Sequence, residues 1–522
     1  MHVVIPMSGI GKRFLDAGYK EPKFLIKIDG KFVIQHVIEL FPCADRFTFI
    51  CNSKHLKETN IRKILTKLKP KSNIVEIKPH KLGPVYAVLQ AEHYINDEEE
   101  TIISYCDFGT YWNFLDFLRD VRDRNADSAI PAYKGFHPHM LGNTNYAFMR
   151  DKDQWMVEIQ EKKPFTKNRM EEYASNGIYY FKNGKIIKKY FPKLIERGFD
   201  LHGEYYVSLV FNLIKEDKLT TYIYEIKYML QWGTPSDLEE YKNWSYYFNT
   251  SKNFFLNKKV VSVDHLVIPM SGLGSRFSSD GYKKPKPLLP VDKEPMYSFA
   301  IKSCPSYKKL HLSILEKHNK EHNILNSILR IYPESNIKEI KSVTSGQATT
   351  CSLLTKDIAD SESLFITSCD SACIWDQKKF AKLIQKEKAE VIIFAFKNHQ
   401  HANLHPNQYG WLKTDNGQVK TVSVKKQISK LVSNDYGITG SFFFSKKRIF
   451  KEAYAKLIED NARVNNEFYI DSMINYINSK IMILEVDFYI SLGTPNEYKT
   501  FHYWKNYHKL MKSCKYDPYF KF

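Results

Sequence analysis

The sequence predicts an α/β fold that occurs twice in tandem, and three observations lead to this prediction. The chain has 522 residues, which suits several domains of about 150 residues each. Its opening segment recurs near the middle of the chain. Within each copy, short apolar runs alternate with stretches of helical spacing. That alternation is typical of a mostly parallel sheet with helices on both faces.

The internal repeat is the strongest of these observations. Residues 2–29 and 265–292 are identical at 17 of 28 positions. The same offset of 263 residues relates further pairs along the chain: Gly83 and Gly346, Asp107 and Asp370, Lys162 and Lys425, Gly177 and Gly440, Glu204 and Glu467. A repeat of this length far exceeds the roughly 20 to 50 residues of a solenoid unit, so each copy is a whole domain. The predicted organisation is a first domain at 1–247, a linker at 248–262, a second domain at 263–510 and a C-terminal tail at 511–522.

Four apolar runs in the first copy predict strands at 3–5, 46–50, 74–77 and 101–105. Runs of this kind are typical of strands that are buried on both faces of a parallel sheet. Residues at helical spacing lie between them and predict helices around Ile34, Val37, Ile38 and Phe41, and around Val85, Val88 and Leu89. Because ligands bind at the carboxyl ends of strands in such folds, we expect the functional residues in the loops that follow the strands.

Composition excludes several classes of protein. Hydrophobic residues make up 43% and charged residues 26% of the chain, values of a folded globular protein and not of a disordered one. No run approaches the ~18 apolar residues of a membrane span, and no targeting segment opens the sequence, so we expect a cytoplasmic protein. The eight cysteines form no CxxC pair and are expected to be free thiols. The net charge of +19 suits phosphorylated ligands, while no nucleic-acid-binding motif accompanies it.

The loop after the first predicted strand is rich in glycine and is followed by two cations. It has the pattern Gly9-x-Gly11-x-Arg13, and Pro22-Lys23 comes after it. Glycine-rich turns in this place offer backbone N–H groups to phosphates, although a tight turn alone is the alternative. A dinucleotide-binding motif would need a third glycine at position 14, and no P-loop sequence is present. Recurrence of the whole pattern, with Arg276 and Lys286, favours a phosphate site.

A carboxylate ends the fourth predicted strand of each copy. Asp107 follows the run at 101–106, and Asp370 follows the run at 364–369. Mg²⁺ prefers one or two carboxylates together with phosphate oxygens and water, so a carboxylate beside a phosphate loop predicts a magnesium site. The alternative is an N-cap for the following segment. Recurrence in both copies favours the metal site.

Together these motifs resemble the sugar-1-phosphate nucleotidyltransferases, also called nucleotidylyltransferases or pyrophosphorylases. The resemblance covers about 2–245 and 265–505, and it also includes Glu161-Lys162, Asn176-Gly177-Ile178-Tyr179 and Gly233-Thr234-Pro235. It implies two tandem Rossmann-like nucleotide-diphospho-sugar transferase domains. It further implies a Mg²⁺-dependent reaction, in which a sugar phosphate attacks the α-phosphate of a nucleoside triphosphate and pyrophosphate is released.

The resemblance also implies roles for individual residues. The catalytic cations are Arg13, Lys23, Arg276 and Lys286. The nucleotide-binding residues are Met7, Ser8, Gly9, Gly11 and Gly83, with Met270, Ser271, Gly272, Gly274 and Gly346 in the second copy. The sugar-phosphate-binding residues are Glu161, Lys162, Gly177 and Glu204, with Lys425, Gly440 and Glu467. The metal ligands are Asp107, Asp370 and Asp376. For the two lysines a solvated surface cation is the alternative, and for Glu204 and Glu467 a carboxylate at a helix start.

The two copies depart from the family, and from each other, on the acceptor side. Many relatives have a second metal-binding aspartate two positions before the late Gly-Thr, where this chain has Gln231 and Ser491. Glu161 is replaced by Val424 in the second copy, whereas Asn113 is replaced by Asp376. These differences predict different acceptors for the two halves, or one weakened site.

Three hypotheses about function follow from these observations. In the first, at least one half joins a nucleotide to a sugar or polyol phosphate for capsule or surface polysaccharide synthesis. In the second, one half is a non-catalytic nucleotide- or sugar-binding module that regulates the other. In the third, the acceptor is phosphocholine or another small phospho-alcohol. CTP, UTP, dTTP and GTP all remain open, with CTP favoured by resemblance to capsule-type cytidylyltransferases, and the oligomeric state is open as well.

Overall fold

The computed structural model describes residues 1–250, 254–255 and 259–514. By its internal contacts the chain forms two units, unit 1 with Met1–Ser245 and Tyr503–Phe522, and unit 2 with Tyr246–His502. The C-terminal helix Pro495–Cys514 contributes residues to both units. Parts of the predicted linker and tail, at 251–253, 256–258 and 515–522, lie outside the described residues. The domain limits inferred from the repeat therefore stay a prediction.

Strands and helices alternate from the N-terminus to residue 250. The strands are β1 (His2–Met7), β2 (Lys27–Ile28), β3 (Lys31–Phe32), β4 (Arg46–Asn52), β5 (Asn73–Ile77), β6 (Thr101–Ser104), β7 (Phe108–Tyr111), β8 (Ser128–Tyr133), β9 (Ala147–Lys152), β10 (Trp155–Glu161), β11 (Tyr173–Ser175), β12 (Ile178–Phe181), β13 (Thr221–Glu225) and β14 (Tyr228–Gln231). The helices are α1 (Lys12–Asp16), α2 (Val33–Glu39), α3 (Ser53–Glu58), α4 (Ile61–Leu68), α5 (Gly83–Leu89), α6 (Phe114–Asp123), α7 (Gly184–Glu196), α8 (Val207–Glu216) and α9 (Pro235–Thr250).

The main sheet of unit 1 has the strand order β11-β9-β10-β13-β8-β12-β6-β1-β4-β5. The predicted parallel arrangement holds at one end, where β1 pairs in parallel with β4 and β6, and β4 with β5. Beyond β6 the sheet is mixed, because β12 and the β9–β10 hairpin pair antiparallel with their neighbours. Asp153 and Gln154 have positive φ and close that hairpin, and a tight turn of this kind joins only antiparallel strands.

The core of unit 1 covers both faces of this sheet. Val3 and Ile5 pack into one buried cluster with Val37, while Val4 packs into a second cluster with Val85. Successive residues of a strand point to opposite faces, so helices must cover both sides. The four predicted strands lie in β1, β4, β5 and β6, and the predicted helices correspond to α2 and α5. The predicted α/β, Rossmann-like fold class is therefore confirmed.

The second half of the chain repeats the order of elements. Its strands are β15 (Ser262–Pro269), β16 (Pro290–Val291), β17 (Glu294–Pro295), β18 (Ser306–Leu315), β19 (Asn336–Ile340), β20 (Leu364–Ile366), β21 (Ser371–Ile374), β22 (Val391–Phe396), β23 (Gly410–Asp415), β24 (Gln418–Val424), β25 (Tyr436–Phe444), β26 (Ile481–Glu485) and β27 (Phe488–Ser491). Its helices are α10 (Ser275–Ser279), α11 (Met296–Lys302), α12 (Glu316–His322), α13 (Ile324–Ile331), α14 (Gln347–Leu354), α15 (Gln377–Gln385), α16 (Gln400–Leu404), α17 (Lys447–Glu459), α18 (Ile470–Met473) and α19 (Pro495–Cys514).

The main sheet of unit 2 has the order β19-β18-β15-β20-β25-β22-β26-β24-β23. As in unit 1, the first strand is central, and β15 pairs in parallel with β18 and β20. One long strand, β25, stands where unit 1 has β11 and β12. Among the helices that the structure describes, none is long and apolar enough to cross a membrane.

Candidate active site

A cavity of about 760 Å³ lies in unit 1 where the sequence predicts a ligand site. The loop that follows β1 and the segment that follows β6 form one side of it, and the end of β10 forms another. The cavity is lined by all the residues of the first copy that the sequence proposes for nucleotide, metal and sugar-phosphate binding: Met7, Ser8, Gly9, Gly11, Arg13, Lys23, Gly83, Asp107, Glu161, Lys162, Gly177 and Glu204.

An ion pair between Lys23 and Asp107 lies in the wall of this cavity. Lys23 Nζ is 2.5 Å from Asp107 Oδ2, and both side chains are about four-fifths shielded from solvent. Burial alone would lower the pKa of Lys23, but the Asp107 carboxylate more than offsets it, so the pKa is raised. The strand β7 follows Asp107 directly, so this carboxylate is not a helix N-cap. Unit 2 has the same ion pair between Lys286 and Asp370.

The glycine loop exposes its main chain to the cavity. Gly11 has φ +70° and precedes α1, a conformation that a residue with a side chain rarely adopts. Gly9 is exposed, and a Cβ atom at that position would meet nothing within 4 Å. The carbonyl oxygen of Ser8 accepts a hydrogen bond of 3.1 Å from the Asn52 side chain, which fixes the start of the loop. The Arg13 side chain is exposed on the cavity wall.

Gly83 is needed for a close approach between two backbone segments. It has φ +84°, and a Cβ atom there would lie 2.7 Å from the backbone nitrogen and oxygen of Tyr205. Tyr205 N–H donates to the Leu82 carbonyl at 2.9 Å, and Val85 N–H donates to the Tyr205 carbonyl at 3.1 Å. The glycine therefore holds the segment that carries Glu204 against the cavity. Gly346 and Phe468 repeat this contact in unit 2.

On the side of each cavity that the sequence proposes for the sugar phosphate, a lysine is hydrogen-bonded to a tyrosine. Lys162 Nζ donates to Tyr206 Oη at 2.5 Å, and that hydroxyl donates to Glu204. The equivalent bond from Lys425 to Tyr469 is also 2.5 Å long. Both lysines are partly buried and line their cavities, so the alternative of a solvated surface cation does not describe them. The sequence analysis did not single out the two tyrosines, although their identity at the 263-residue offset was a signal.

Glu161 places a second carboxylate on this side of the first cavity. Its oxygen accepts a hydrogen bond of 2.6 Å from Ser208 Oγ, and Ser208 is fully buried. Burial raises the pKa of Glu161 to about 7, since the hydrogen bond from Ser208 only partly offsets the loss of solvation. His80, which the sequence analysis did not name, also lines the cavity, and its ring nitrogen lies 3.2 Å from Ser8 Oγ.

The corresponding cavity of unit 2 has a volume of about 590 Å³. It is lined by most of the second-copy residues that the sequence proposes: Ser271, Gly272, Gly274, Arg276, Lys286, Gly346, Asp370, Lys425, Gly440 and Glu467. Met270 is not among its lining residues, and its side chain packs into the hydrophobic core with Ile268 and Leu312. Asp471 lines this cavity as well, and no sequence motif pointed to it.

The structure corrects the metal role predicted for Asp376. Its carboxylate accepts hydrogen bonds from the backbone N–H groups of Lys378 and Lys379, at 2.7 and 3.2 Å, and it caps α15. It does not line the cavity of unit 2. Asn113 caps α6 at the equivalent position in unit 1. The two residues therefore differ in charge but share one structural task, since both asparagine and aspartate are favoured N-caps.

The donors around Asp107 and Asp370 fit Mg²⁺ as a metal completed by substrate. Among the described residues, no group of three or more His, Cys, Asp or Glu side chains could hold a metal ion. Mg²⁺ is commonly bound by one or two carboxylates plus phosphate oxygens and water, so a single carboxylate at a phosphate loop suffices. Gly233 leaves open the space beside Asp107, since a Cβ there would lie 2.8 Å from Oδ2. Gln231 and Ser491 line their respective cavities and supply no second carboxylate.

The family model described as nucleotidyl transferase matches residues 2–237 and again residues 266–505. The chain belongs to this family. It is a nucleotidyltransferase with two tandem copies of the domain, and the resemblance inferred from the motifs is confirmed at that level. No curated protein sequence matches the chain.

Several solved structures are similar to one half of this nucleotidyltransferase. A nucleoside-diphosphate-sugar pyrophosphorylase from Vibrio cholerae is 18% identical, with 46% of this chain and 98% of that chain covered, and a TM-score of 0.39. The inositol-1-phosphate CTP transferase from T. maritima is 16% identical, with 46% and 93% covered and a TM-score of 0.37. A UDP-glucose pyrophosphorylase from Acinetobacter baumanii is 16% identical, with 48% and 94% covered and a TM-score of 0.36.

Proposed function

We propose that both units are active sites that transfer a nucleotidyl group to a sugar or polyol phosphate and release pyrophosphate. The supporting observation is the same in both: a glycine loop, a Lys–Asp ion pair and a tyrosine-bound lysine line one cavity. CTP is the favoured nucleotide, and capsule or surface polysaccharide synthesis is the proposed purpose. A cytoplasmic location belongs to the proposal, because the seven cysteines at 43, 51, 106, 304, 351, 369 and 373 are free thiols, which a reducing compartment maintains.

The proposed reaction needs charge neutralisation more than a general base. An oxygen of the acceptor phosphate forms a bond to the α-phosphorus, and the bond from that phosphorus to the bridging oxygen of the β-phosphate breaks. The nucleophile is already an anion, so no proton has to be removed. Arg13 and Lys23 neutralise the triphosphate and the departing pyrophosphate, while Lys162 holds the acceptor phosphate. Positioning and electrostatic stabilisation account for most of the rate enhancement in phosphoryl-type transfer.

Mg²⁺ is part of this proposal, with Asp107 as its ligand in unit 1 and Asp370 in unit 2. When bound, it would add positive charge beside the phosphates, which bring the remaining oxygen ligands. The backbone of the glycine loop and Lys23 act on the same phosphates from the chain itself.

The decisive experiment measures pyrophosphate release with CTP, UTP, dTTP or GTP and a panel of acceptors in the presence of Mg²⁺. The acceptors are glucose 1-phosphate, inositol 1-phosphate, glycerol 3-phosphate and phosphocholine, and the proteins are wild type, Asp107→Ala, Asp370→Ala and the double variant. We expect each single variant to lose one acceptor's turnover and the double variant to lose all of it. If one single variant loses all turnover and the other keeps full activity, one unit is catalytic and the other is a binding module. If phosphocholine alone reacts, the acceptor class is wrong.

A further inference from the structure

The acceptor sides of the two cavities share one backbone frame. In unit 1 the Asn212 side chain hooks α8 onto β10: it donates to the Ile159 carbonyl at 2.9 Å and accepts from the Ile159 N–H at 3.2 Å. In unit 2, Asn475 makes the same two bonds with Val422, at 3.1 and 2.9 Å. The bonds from lysine to tyrosine are equally matched. Side chains at equivalent positions can therefore be compared directly.

Within this shared frame, unit 1 has a carboxylate on the strand, whereas unit 2 has one on the facing helix. Unit 1 has Glu161 at the end of β10 and Ser208 on α8, which are joined by a hydrogen bond of 2.6 Å. Unit 2 has Val424 at the end of β24 and Asp471 on α18 at the equivalent positions. Each unit thus has one carboxylate at this pair of positions, supplied from opposite walls.

A third residue changes together with this pair. Gly410 pairs with Val424 across the β23–β24 ladder, just as Ala147 pairs with Glu161 in unit 1. A Cβ atom at Gly410 would collide with the Asp471 carboxylate. The missing methyl group at 410 therefore makes room for the carboxylate that unit 2 places there. Because these three differences fit together sterically, we interpret this part of unit 2 as a subsite of different construction and not as a lost subsite.

Asp471 has a charge that the protein itself leaves largely uncompensated. It lines the cavity, and among the hydrogen bonds of the described residues none from another side chain reaches its carboxylate. Burial raises the pKa of Asp471 to about 6, because the hydrogen bond from its own backbone N–H and the Lys425 ammonium only partly offset the loss of solvation. A partly buried carboxylate that receives no side-chain donor is unfavourable, so a ligand that supplies a hydroxyl proton would be stabilised there.

A hydrogen-bond donor close to this pair of positions also differs between the two units. The Nδ2 amide of Asn176 is buried in the wall of the first cavity and has no hydrogen-bond partner within the part of the chain that the structure describes. The equivalent residue in unit 2 is Thr439, whose hydroxyl donates to the Phe394 carbonyl at 3.0 Å. The first cavity therefore offers a ligand a carboxylate from the strand and a free amide donor, whereas the second offers a carboxylate from the helix.

We propose that Asp471 binds a hydroxyl group of the acceptor in the second cavity, and that it determines which acceptor that cavity takes. The inference rests on the proposed function, since it presupposes a sugar or polyol phosphate held by Lys425. Because Asp471 reaches the ligand from the wall opposite to that of Glu161, the two cavities select hydroxyls at different positions relative to the phosphate. The two units then use different polyhydroxylated phosphates.

The test uses full-length chains in which one unit is silenced, by Asp107→Asn or by Asp370→Asn. In the Asp107→Asn chain, Asp471→Asn is expected to raise the acceptor KM at least tenfold and to leave the KM of the nucleoside triphosphate within twofold. Asp415→Asn, an exposed residue of the same sheet, is the matched control and is expected to change neither. The melting temperature of each variant reports whether its fold is intact.

The converse variant exchanges the subsite. Gly410→Ala, Val424→Glu and Asp471→Ser are combined in the Asp107→Asn chain, and turnover is compared across glucose 1-phosphate, inositol 1-phosphate, glycerol 3-phosphate and phosphocholine. We expect the acceptor preference of unit 1, as measured in the Asp370→Asn chain. An acceptor KM unchanged by Asp471→Asn, with turnover intact, overturns the inference and leaves the proposed function standing. No turnover by the Asp107→Asn chain also overturns it, and no turnover by either silenced chain overturns the proposed function itself.

Discussion

Replacement of Glu161 by glutamine should make unit 1 more stable at neutral and alkaline pH, and not in acid. Burial raises the pKa of this carboxyl from 4.5 to about 7. Between these two values the folded state binds more protons at Glu161 than the unfolded state does, so the free energy of unfolding falls as the pH rises. Each pKa unit corresponds to about 1.4 kcal/mol. The ionised carboxylate therefore destabilises the folded unit by at most about 3.5 kcal/mol at pH values above 7, and Glu161→Gln removes this effect.

Urea denaturation at pH 4.5, 6 and 8 measures this difference. Pulse labelling of Cys51 and Cys106 with a methanethiosulfonate reagent reports on unit 1 specifically, because both thiols are buried there. The free energy of unfolding of the variant relative to wild type should increase from pH 4.5 to 8. Glu196→Gln, at an exposed site, is the control and should stay within about 0.5 kcal/mol of wild type. If the curves for Glu161→Gln and wild type run parallel from pH 4.5 to 8, burial does not shift this pKa and the reasoning is wrong.

Three further predictions concern other parts of the site. Gly83→Ala should lower the stability of unit 1 by about 1 to 3 kcal/mol in urea denaturation, because it strains a positive φ and forces a backbone contact apart; Gly9→Ala, with open space around it, should not. Asp376→Asn should keep the N-cap of α15 and therefore leave both the melting temperature and the Mg²⁺ dependence of pyrophosphate release unchanged. Lys23→Met should reduce pyrophosphate release by unit 1 about a hundredfold, measured in the chain with Asp370→Asn, because one preorganised cation is lost.

Much of the fold could be predicted from the sequence, and so could the meeting of the proposed site residues in one cavity. The strands at 3–5, 46–50 and 101–105 are almost entirely buried, so their apolar runs carried the signal, and the edge strand at 74–77 was recognisable from its apolar residues although it is only partly buried. The residues around the glycine loop follow the carboxyl ends of adjacent parallel strands, and this topology alone brings them together. The 263-residue repeat supported each motif, because the motif recurs in the second copy.

The acceptor side could not be predicted in the same way. The importance of Asp471 depends on its position opposite Val424, which is 47 residues away in the sequence and becomes a neighbour only when the helix lies on the sheet. The one available signal was a reciprocal pair of differences between the copies. Glu161 of the first copy corresponds to Val424, whereas Ser208 corresponds to the charged Asp471. The metal role of Asp376 was mispredicted for another reason. An aspartate after a strand can be either a metal ligand or an N-cap, and only the geometry distinguishes the two.

The paired asparagine hooks have a consequence for how this protein can be changed. The side chains of Asn212 and Asn475 bind backbone groups of the facing strand, so the side chains that line the cavity are not needed for this contact. We therefore expect that cavity-lining side chains of one half can be exchanged for those of the other while the main chain keeps its conformation. Each such exchange can be compared with the unaltered half of the same chain.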